Sequence, residues 1–172
     1  KIKKVNVNKS RFGIISILNK MGAKIELKNK KKYNGEEVAD IHVKSKKKLK
    51  GINCPSKFNS SAIDEFLIIF LAAAKAKGIS KFKDLGEMNK KESKRLDLAV
   101  KFLRMIGIKV IRSKNDINIY GQPNLELNKK FEMKNFLKDH RIFFLSCICA
   151  LTLGGIWKIN DKDSINTSFP DF

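Results

Sequence analysis

The sequence predicts a mixed α/β domain built from three copies of one helix-and-strand unit. An apolar helical pattern that closes on a glycine and leads into an alternating strand occurs at 18–25 and again at 103–110. A longer pair, 64–83 and 139–160, also repeats the order of helix, glycine and strand. Internal repeats of this kind are stacked supersecondary units that share one core. We therefore expect residues 1–172 to form a single domain.

The middle copy is predicted to contain all its elements, in the order helix, strand, helix, strand, strand. Helical periodicity and period-2 alternation place them near residues 62–77, 79–83, 90–105, 108–112 and 116–120. A turn at 114–116 joins the last two strands. The first copy opens with a strand at 2–6 but lacks the first helix, and the third ends where its second helix should begin.

The composition excludes several classes of protein. With 42% hydrophobic residues the chain can bury enough apolar surface to fold, and its 10 Gly and 3 Pro exclude collagen-like and mucin-like chains. The longest apolar run, 142–156, is too short to span a bilayer, and no N-terminal segment is typical of a signal peptide. Cys54, Cys147 and Cys149 lack metal-ligand spacing, so we expect reduced packing cysteines in a soluble, cytoplasmic protein.

The net charge of +20 raises the question of an anionic ligand. Of the 37 basic residues, 32 are lysines and only 5 are arginines. Sites that read phosphates in a fixed geometry favour the planar arginine fork. We therefore interpret most lysines, including the runs at 30–32 and 46–48, as a solvated coat, and expect the arginines to carry specific binding.

The N-termini of several predicted helices should gather at one end of the domain, because crossovers between parallel strands have one hand. Sequences that approximate capping boxes occur at 61–64, 89–92 and 168–171, and Asp139 can cap a further helix. Lys91, Arg95 and Arg141 lie in the first turns of these helices, where the positive helix end also attracts anions. Each acid taken singly is explained by capping alone, but acids clustered beside cations suit proton transfer.

Four motifs, in this order along the chain, together resemble the EPSP synthase family of enolpyruvyl transferases. They are Ile63-Asp64-Glu65-Phe66, Lys91-Glu92-Ser93-Lys94-Arg95-Leu96, Asp139-His140-Arg141-Ile142 and Thr167-Ser168-Phe169-Pro170-Asp171-Phe172. Residues 35–41 also resemble the family's segment between the first and second copies. The resemblance implies three βαβαββ units of an inside-out α/β barrel, truncated at both ends, that form the C-terminal lobe of a two-lobe enzyme.

The resemblance also implies an activity. Family members transfer the enolpyruvyl group of phosphoenolpyruvate to the 5-hydroxyl of shikimate 3-phosphate and release phosphate, on the route to chorismate and the aromatic amino acids. The implied partners are these two substrates and the missing N-terminal lobe, with no metal, no organic cofactor, no membrane and no nucleic acid. We expect the chain alone to be inactive, because half of the cleft is missing.

Residue by residue, the resemblance implies Asp64 as the acceptor of the hydroxyl proton and Glu92 as the acid and base near the methylene carbon. It implies Lys91, Arg95 and Arg141 as substrate-binding cations, the two arginines for phosphoenolpyruvate.

The resemblance leaves the roles of two residues open, and three positions differ from the family's usual residues. His140 either takes part directly or orients its neighbours, and Glu65 either supports the contacting residues or is simply a first-turn acid. The chain departs from the family's usual residues at Lys94, Asn89 and Thr167.

Two other functions remain open. A related transferase acts on UDP-N-acetylglucosamine, but the second and third motifs fit the shikimate enzyme better. A basic RNA-binding or RNA phosphate cyclase-like module would suit the charge. Against it, many Phe residues fall in apolar helical runs such as 142–145, where core packing explains them better than base stacking.

Overall fold

A computed structural model describes residues 1–44, 48–91, 93–134, 139–160, 162–166 and 168–172, and these fold into α-helices and β-strands with short 3₁₀ turns between them. The strands are β1 Ile2–Asn6, β2 Lys24–Tyr33, β3 Glu36–Lys44, β4 Gly78–Phe82, β5 Val110–Ser113, β6 Asp116–Gly121, β7 Leu127–Met133 and β8 Gly154–Ile159. The helices are α1 Gly13–Lys20, α2 Phe66–Ala74, α3 Arg95–Met105 and α4 His140–Leu153.

The strands form sheets that repeat one plan. The order β1-β3-β2 recurs as β4-β6-β5, and in both sheets the central strand runs antiparallel to its two neighbours. In the third copy β7 pairs with β8 in parallel. The middle copy runs α2, β4, α3, β5, β6, which confirms the predicted order of helix, strand, helix, strand, strand.

Periodicity missed one strand, β7. Its register shifts between Leu127 and Lys130. Between Leu127 and Phe131 the alternating position is Lys129, so the apolar alternation on which the sequence-based assignment depends is interrupted. In the middle copy, parallel bridges from Lys50 to Lys77 and from Asn53 to Lys81 place an extended segment ahead of α2, where β7 stands ahead of α4. The two copies therefore share the βαβ opening that the resemblance implied.

Two helices begin later than predicted. The segment before α2 forms a 3₁₀ turn at Ser60–Ala62, and the capping box expected at 61–64 does not form, because the Ser61 hydroxyl donates to the carbonyl of Phe58. The segment before α3 forms another 3₁₀ turn, Gly86–Lys90. The Asn89 side chain accepts a hydrogen bond from the backbone N–H of Leu96, so it caps α3 across a gap of seven residues rather than three.

The core lies around α2, which is apolar on every side. Phe66, Phe70 and Phe82 pack with ring centroids 5.1–6.0 Å apart, and each is almost fully buried. A helix that is hydrophobic all round is typical of the interior of a domain. Because α2 is central, the turn that precedes it, which carries Asp64, is fixed at one end of the core. Within the described residues, no helix is long and apolar enough to cross a membrane.

Candidate functional site

The N-termini of α2, α3 and α4 meet at one end of the core, as the sequence predicted. Asp64 lies in the turn before α2, Arg95 is the first residue of α3, and Arg141 is the second residue of α4. Arg95 Nη1 lies 3.4 Å from Asp64 Oδ1, and Arg141 Nη2 lies 3.3 Å from Asp64 Oδ2. Asp64 therefore joins two arginines from two different helices. Together with Asp139, these residues form the charge cluster.

Asp139 accepts hydrogen bonds from three different residues. Its Oδ1 accepts the backbone N–H of Arg141 at 2.9 Å, which caps α4 as predicted. Its Oδ2 accepts the Ser93 hydroxyl at 2.6 Å and Arg95 Nε at 2.9 Å. Burial alone would raise the pKa of Asp139, but the hydrogen bonds from Ser93 and Arg95 outweigh it, and this pKa lies below its ordinary value. The carboxylate is therefore negatively charged at neutral pH.

Arg95 is buried, with its side chain only 1% exposed. Its guanidinium is held by Asp139 on one side and contacts Asp64 on another. A ligand can touch Arg95 directly only after neighbouring side chains move. In the structure as it stands, Arg95 acts on the site through Asp64.

Arg141 is the more accessible arginine, with 30% of its side chain exposed. Its Nη1 donates to the backbone carbonyl of Asp64 at 2.9 Å, so the guanidinium holds both the side chain and the main chain of that residue. Its Nε is buried and finds no hydrogen-bond acceptor among the residues that the structure describes. A buried donor without a partner costs about 1–3 kcal/mol, and an acceptor on a ligand would remove that cost.

A groove of about 180 Å³ opens beside Asp64 and Arg141. Its walls are apolar and come from α2 and α4: Leu67, Ile68, Phe144, Leu145 and Ile148. Glu65 lines the charged end, where burial raises its pKa against the opposing effect of Arg141. The groove thus pairs an apolar wall with a charged end that carries two carboxyl groups and a cation.

Of the other predicted site residues, the structure describes Lys91 and His140. Lys91 is exposed and directly follows the 3₁₀ turn before α3. His140 is the first residue of α4. Its ring packs against that of Phe144 in a T-shaped contact with the ring centroids 6.1 Å apart, a contact that suits an orienting residue. Glu92 and Thr167 fall outside the described residues.

Sequence reasoning missed the part that Ser93 plays, and it gave Asp139 only a capping role. Ser93 stands inside the second motif, which was the one available signal, but its partner Asp139 is 46 residues away in the chain. Asn89 also supports the site: besides capping α3, its amide donates to Asp97 Oδ1 at 3.1 Å, and Asp97 pairs with Arg112.

The buried cysteines lie outside the charge cluster, and their thiols are not ionised. Burial raises the pKa of Cys54 to about 11 and that of Cys149 to about 12, so both thiols are neutral at pH 7, as packing cysteines should be. Within the described part of the chain, no three His, Cys, Asp or Glu side chains lie close enough together to hold a metal ion.

Comparison with known proteins identifies the family. The model of the family EPSP synthase (3-phosphoshikimate 1-carboxyvinyltransferase) matches residues 1–172. A 3-phosphoshikimate 1-carboxyvinyltransferase of Ruthia magnifica is 38% identical over 172 residues, covering 98% of this chain and 38% of the relative. The enzyme of the same name from Geobacter metallireducens is 38% identical over 171 residues, covering 99% of this chain and 39% of the relative.

Solved structures agree with these sequence matches. A structure of EPSP synthase from Acinetobacter baumannii superimposes with a TM-score of 0.85 at 32% identity, covering 98% of this chain and 38% of that one. The enolpyruvyl transferase NikO from Streptomyces tendae, at 15% identity, has a TM-score of 0.61, covers 94% of this chain and 33% of its own, and shares the fold alone. This chain spans less than two fifths of the length of the curated relatives described above. It belongs to the EPSP synthase (3-phosphoshikimate 1-carboxyvinyltransferase) family.

Proposed function

We propose that this chain forms the C-terminal lobe of an enzyme that transfers the enolpyruvyl group of phosphoenolpyruvate to the 5-hydroxyl of shikimate 3-phosphate. The observation that carries the proposal is the charge cluster, in which Asp64 contacts Arg95 and Arg141 where helix N-termini meet. The activity for which the relatives are named supports the same reaction. Because the chain covers 38% of such a relative, the proposal includes a second lobe that closes the cleft.

The reaction needs a base, an acid and anion-binding groups. The substrate hydroxyl oxygen bonds to C2 of phosphoenolpyruvate while its proton leaves, and the methylene carbon gains a proton. In the second step the bond from C2 to the phosphate oxygen breaks, the new methyl group loses a proton, and phosphate departs. One group must therefore accept the hydroxyl proton, and another must donate a proton to the methylene carbon and later remove one from the methyl group.

Asp64 is the proposed acceptor of the hydroxyl proton. Its side chain is 25% exposed at the charged end of the groove, so a bound hydroxyl can reach it, and Arg141 fixes both its main-chain carbonyl and its carboxylate. A carboxylate held by two arginines keeps one orientation, which proton transfer requires. Glu92 is proposed as the acid and base at the methylene carbon on the strength of its place in the second motif.

Arg141 and Lys91 are proposed to hold the anionic groups of the substrates. The unpartnered Nε of Arg141 supplies a donor that the fold leaves without an acceptor among the described residues. Lys91 is exposed, so its ammonium can turn toward a phosphate. Arg95 is proposed to reach phosphoenolpyruvate once a substrate displaces the neighbours that now bury it.

The test is phosphate release by the intact protein that contains this chain. With phosphoenolpyruvate and shikimate 3-phosphate, we expect Asp64→Asn to lower kcat by about 10²- to 10⁴-fold, the usual contribution of a general base. Asp163→Asn is the matched control, because Asp163 is an exposed acid outside the charge cluster. Wild-type turnover in Asp64→Asn would remove Asp64 from this role. Phosphate release that requires UDP-N-acetylglucosamine in place of shikimate 3-phosphate would overturn the proposed acceptor substrate.

A further inference from the structure

The first sheet carries a trough that the proposed function does not use. Two adjoining cavities, of about 320 and 270 Å³, share Lys4, Lys31 and Val38 in their linings. Lys1 and Lys3 line the larger cavity, and Tyr33 lines the smaller one. We call this surface the lysine trough: Lys1, Lys3, Lys4, Lys31 and Tyr33, over a floor that includes Val38. Its strands, β1 to β3, contribute no residue to the charge cluster.

Asp40 of β3 fixes the shape of the trough from below. Its Oδ1 accepts the backbone N–H of Lys4 at 3.1 Å, and its Oδ2 accepts Asn29 Nδ2 at 2.8 Å. Lys4 and Asn29 both have left-handed backbones, with φ of 54° and 51°, and each lies within a register shift of the strand on its side. One buried carboxylate therefore ties two facing bulges together, so the trough is formed before any ligand arrives.

The charge of the trough is not neutralised by its own residues. Asp40 also pairs with Lys1 at 3.1 Å, and its oxygens are occupied by the contacts that hold the bulges. Among the described residues, Lys3, Lys4 and Lys31 form no ion pair. Three lysines without an ion-pair partner among the described residues thus line adjoining cavities, whereas the sequence predicted lysines spread over a solvated coat.

The aromatic end of the trough narrows the choice of ligand. Tyr33 is 64% exposed and is the last residue of β2, directly before a two-residue hairpin turn in which Asn34 and Gly35 both have positive φ. Lysines attract phosphates without reading bases, and an exposed aromatic ring offers a face on which a base can stack. A string of cations that ends on such a ring is the arrangement that binds single strands without sequence preference.

We propose that the lysine trough binds single-stranded nucleic acid, with backbone phosphates on Lys3, Lys4 and Lys31 and a base stacked on Tyr33. This function is separate from enolpyruvyl transfer. It also runs against the expectation, drawn from composition and the family resemblance, that nucleic acid is not a partner.

The test uses the intact protein and fluorescein-labelled dodecauridylate, with binding followed by fluorescence anisotropy. We expect Lys3→Ala/Lys31→Ala to weaken binding at least tenfold at low salt. The slope of log K against log salt should fall in size by about 1.4, since each phosphate contact to a single strand contributes about 0.7. Lys81→Ala/Lys83→Ala is the matched control: both residues are exposed, Lys81 lies in β4 and Lys83 directly follows it, and β4 holds the same place in the second sheet as β1 in the first.

Variants at Tyr33 distinguish a site for nucleic acid from a site that binds any polyanion. We expect Tyr33→Ala to weaken binding about tenfold, and Tyr33→Phe, which keeps the ring, to bind as the wild type does. Equal losses in the two lysine double variants would overturn the proposal, because the attraction would then come from the whole coat. Unchanged binding by Tyr33→Ala, or displacement of the oligonucleotide by phosphatidylglycerol vesicles, would overturn the assignment to nucleic acid. Phosphate release should be unchanged in all these variants, so the two proposals fail independently.

Discussion

Asp139 shows how much one buried carboxylate can organise. It caps α4, accepts the Ser93 hydroxyl and pairs with Arg95, although only 2% of the residue is exposed. Removing one partner of a buried ion pair leaves the other charge uncompensated, which typically costs about 3–5 kcal/mol. We expect Asp139→Asn to lower the free energy of unfolding by this amount at pH 7, and Ser93→Ala by about 1.5–3 kcal/mol, the value of a hydrogen bond to a charge. Urea denaturation measures both, and losses below 1 kcal/mol in both variants would contradict the geometry.

The role of Asp139 can also be tested through the pH dependence of the free energy of unfolding. Its pKa in the folded chain lies below the ordinary value of about 4, so the carboxylate contributes stability above that value and loses it as pH falls through the folded-state pKa. Wild-type stability should therefore fall more steeply below pH 4 than that of Asp139→Asn, by at most about 1.4 kcal/mol per pH unit. Urea midpoints from pH 2.5 to 7 measure the difference, and parallel curves would contradict the lowered pKa.

At the residue scale, the sequence predicted which charges meet but not how they are held. Asp64, Arg95 and Arg141 stood out because helix N-termini gather cations and acids, and the structure brings these three together. The burial of Arg95 could not be predicted, because it depends on Asp139, which lies 44 residues further along the chain. Sequence spacing carries no information about such a contact.

At the scale of elements, the main chain of β6 at Gly121 closely approaches the last turn of α2 and the residues that follow it. A Cβ at Gly121 would stand 2.0 Å from the carbonyl oxygen of Ala76 and 2.7 Å from that of Ala73, both of them main-chain atoms that cannot turn aside. We expect Gly121→Ala to lower the free energy of unfolding by about 1–3 kcal/mol or more, as overpacking does. Ser113→Ala, at an exposed position of β5, is the control and should change it by less than about 0.5 kcal/mol. Equal urea midpoints for the two variants would contradict the close approach.

Element boundaries were harder to predict than element order. Periodicity found each helix and strand of the middle copy in the right order, since these elements bury apolar residues that repeat along the chain, but it placed the starts of α2 and α3 too early. It placed the start of α3 too early, because it could not separate a 3₁₀ turn from a helix when both bury apolar side chains such as Met88. The strand β7 was missed because Lys129 stands where an apolar residue would continue the alternation between Leu127 and Phe131.

At the scale of the whole molecule, the internal repeat was the strongest signal in the sequence. It predicted the α/β class and the recurrence of the same elements, and the structure adds the strand order that β1-β3-β2 and β4-β6-β5 share. Net charge was the weakest guide to function, because it does not indicate where on the surface the lysines concentrate. Only the register of β1 and β2 brings Lys3, Lys4 and Lys31 to one channel.

The share of the relatives that this chain covers leads to a prediction for the molecule as a whole. Residues 1–172 match only 38% of the length of such a relative, so in our proposal the substrates are enclosed by a second lobe. We expect the 172-residue chain alone to release no phosphate from phosphoenolpyruvate and shikimate 3-phosphate, whereas the intact protein does. Circular dichroism would confirm that the chain is folded in the assay. Turnover by the folded chain alone would contradict the two-lobe requirement.

The charge cluster joins two of the three copies to one another. Asp64 and Arg95 belong to the second copy, and Asp139 and Arg141 to the third. In the first copy the matching helix α1 starts at Gly13, where an added Cβ would lie 2.5 Å from the Ser61 hydroxyl, so tight packing takes the place of charge. The second and third copies are thus held to one another by groups that are also proposed for the reaction. A substitution at Asp64 or Arg141 is therefore expected to change both the free energy of unfolding and the turnover of the intact protein.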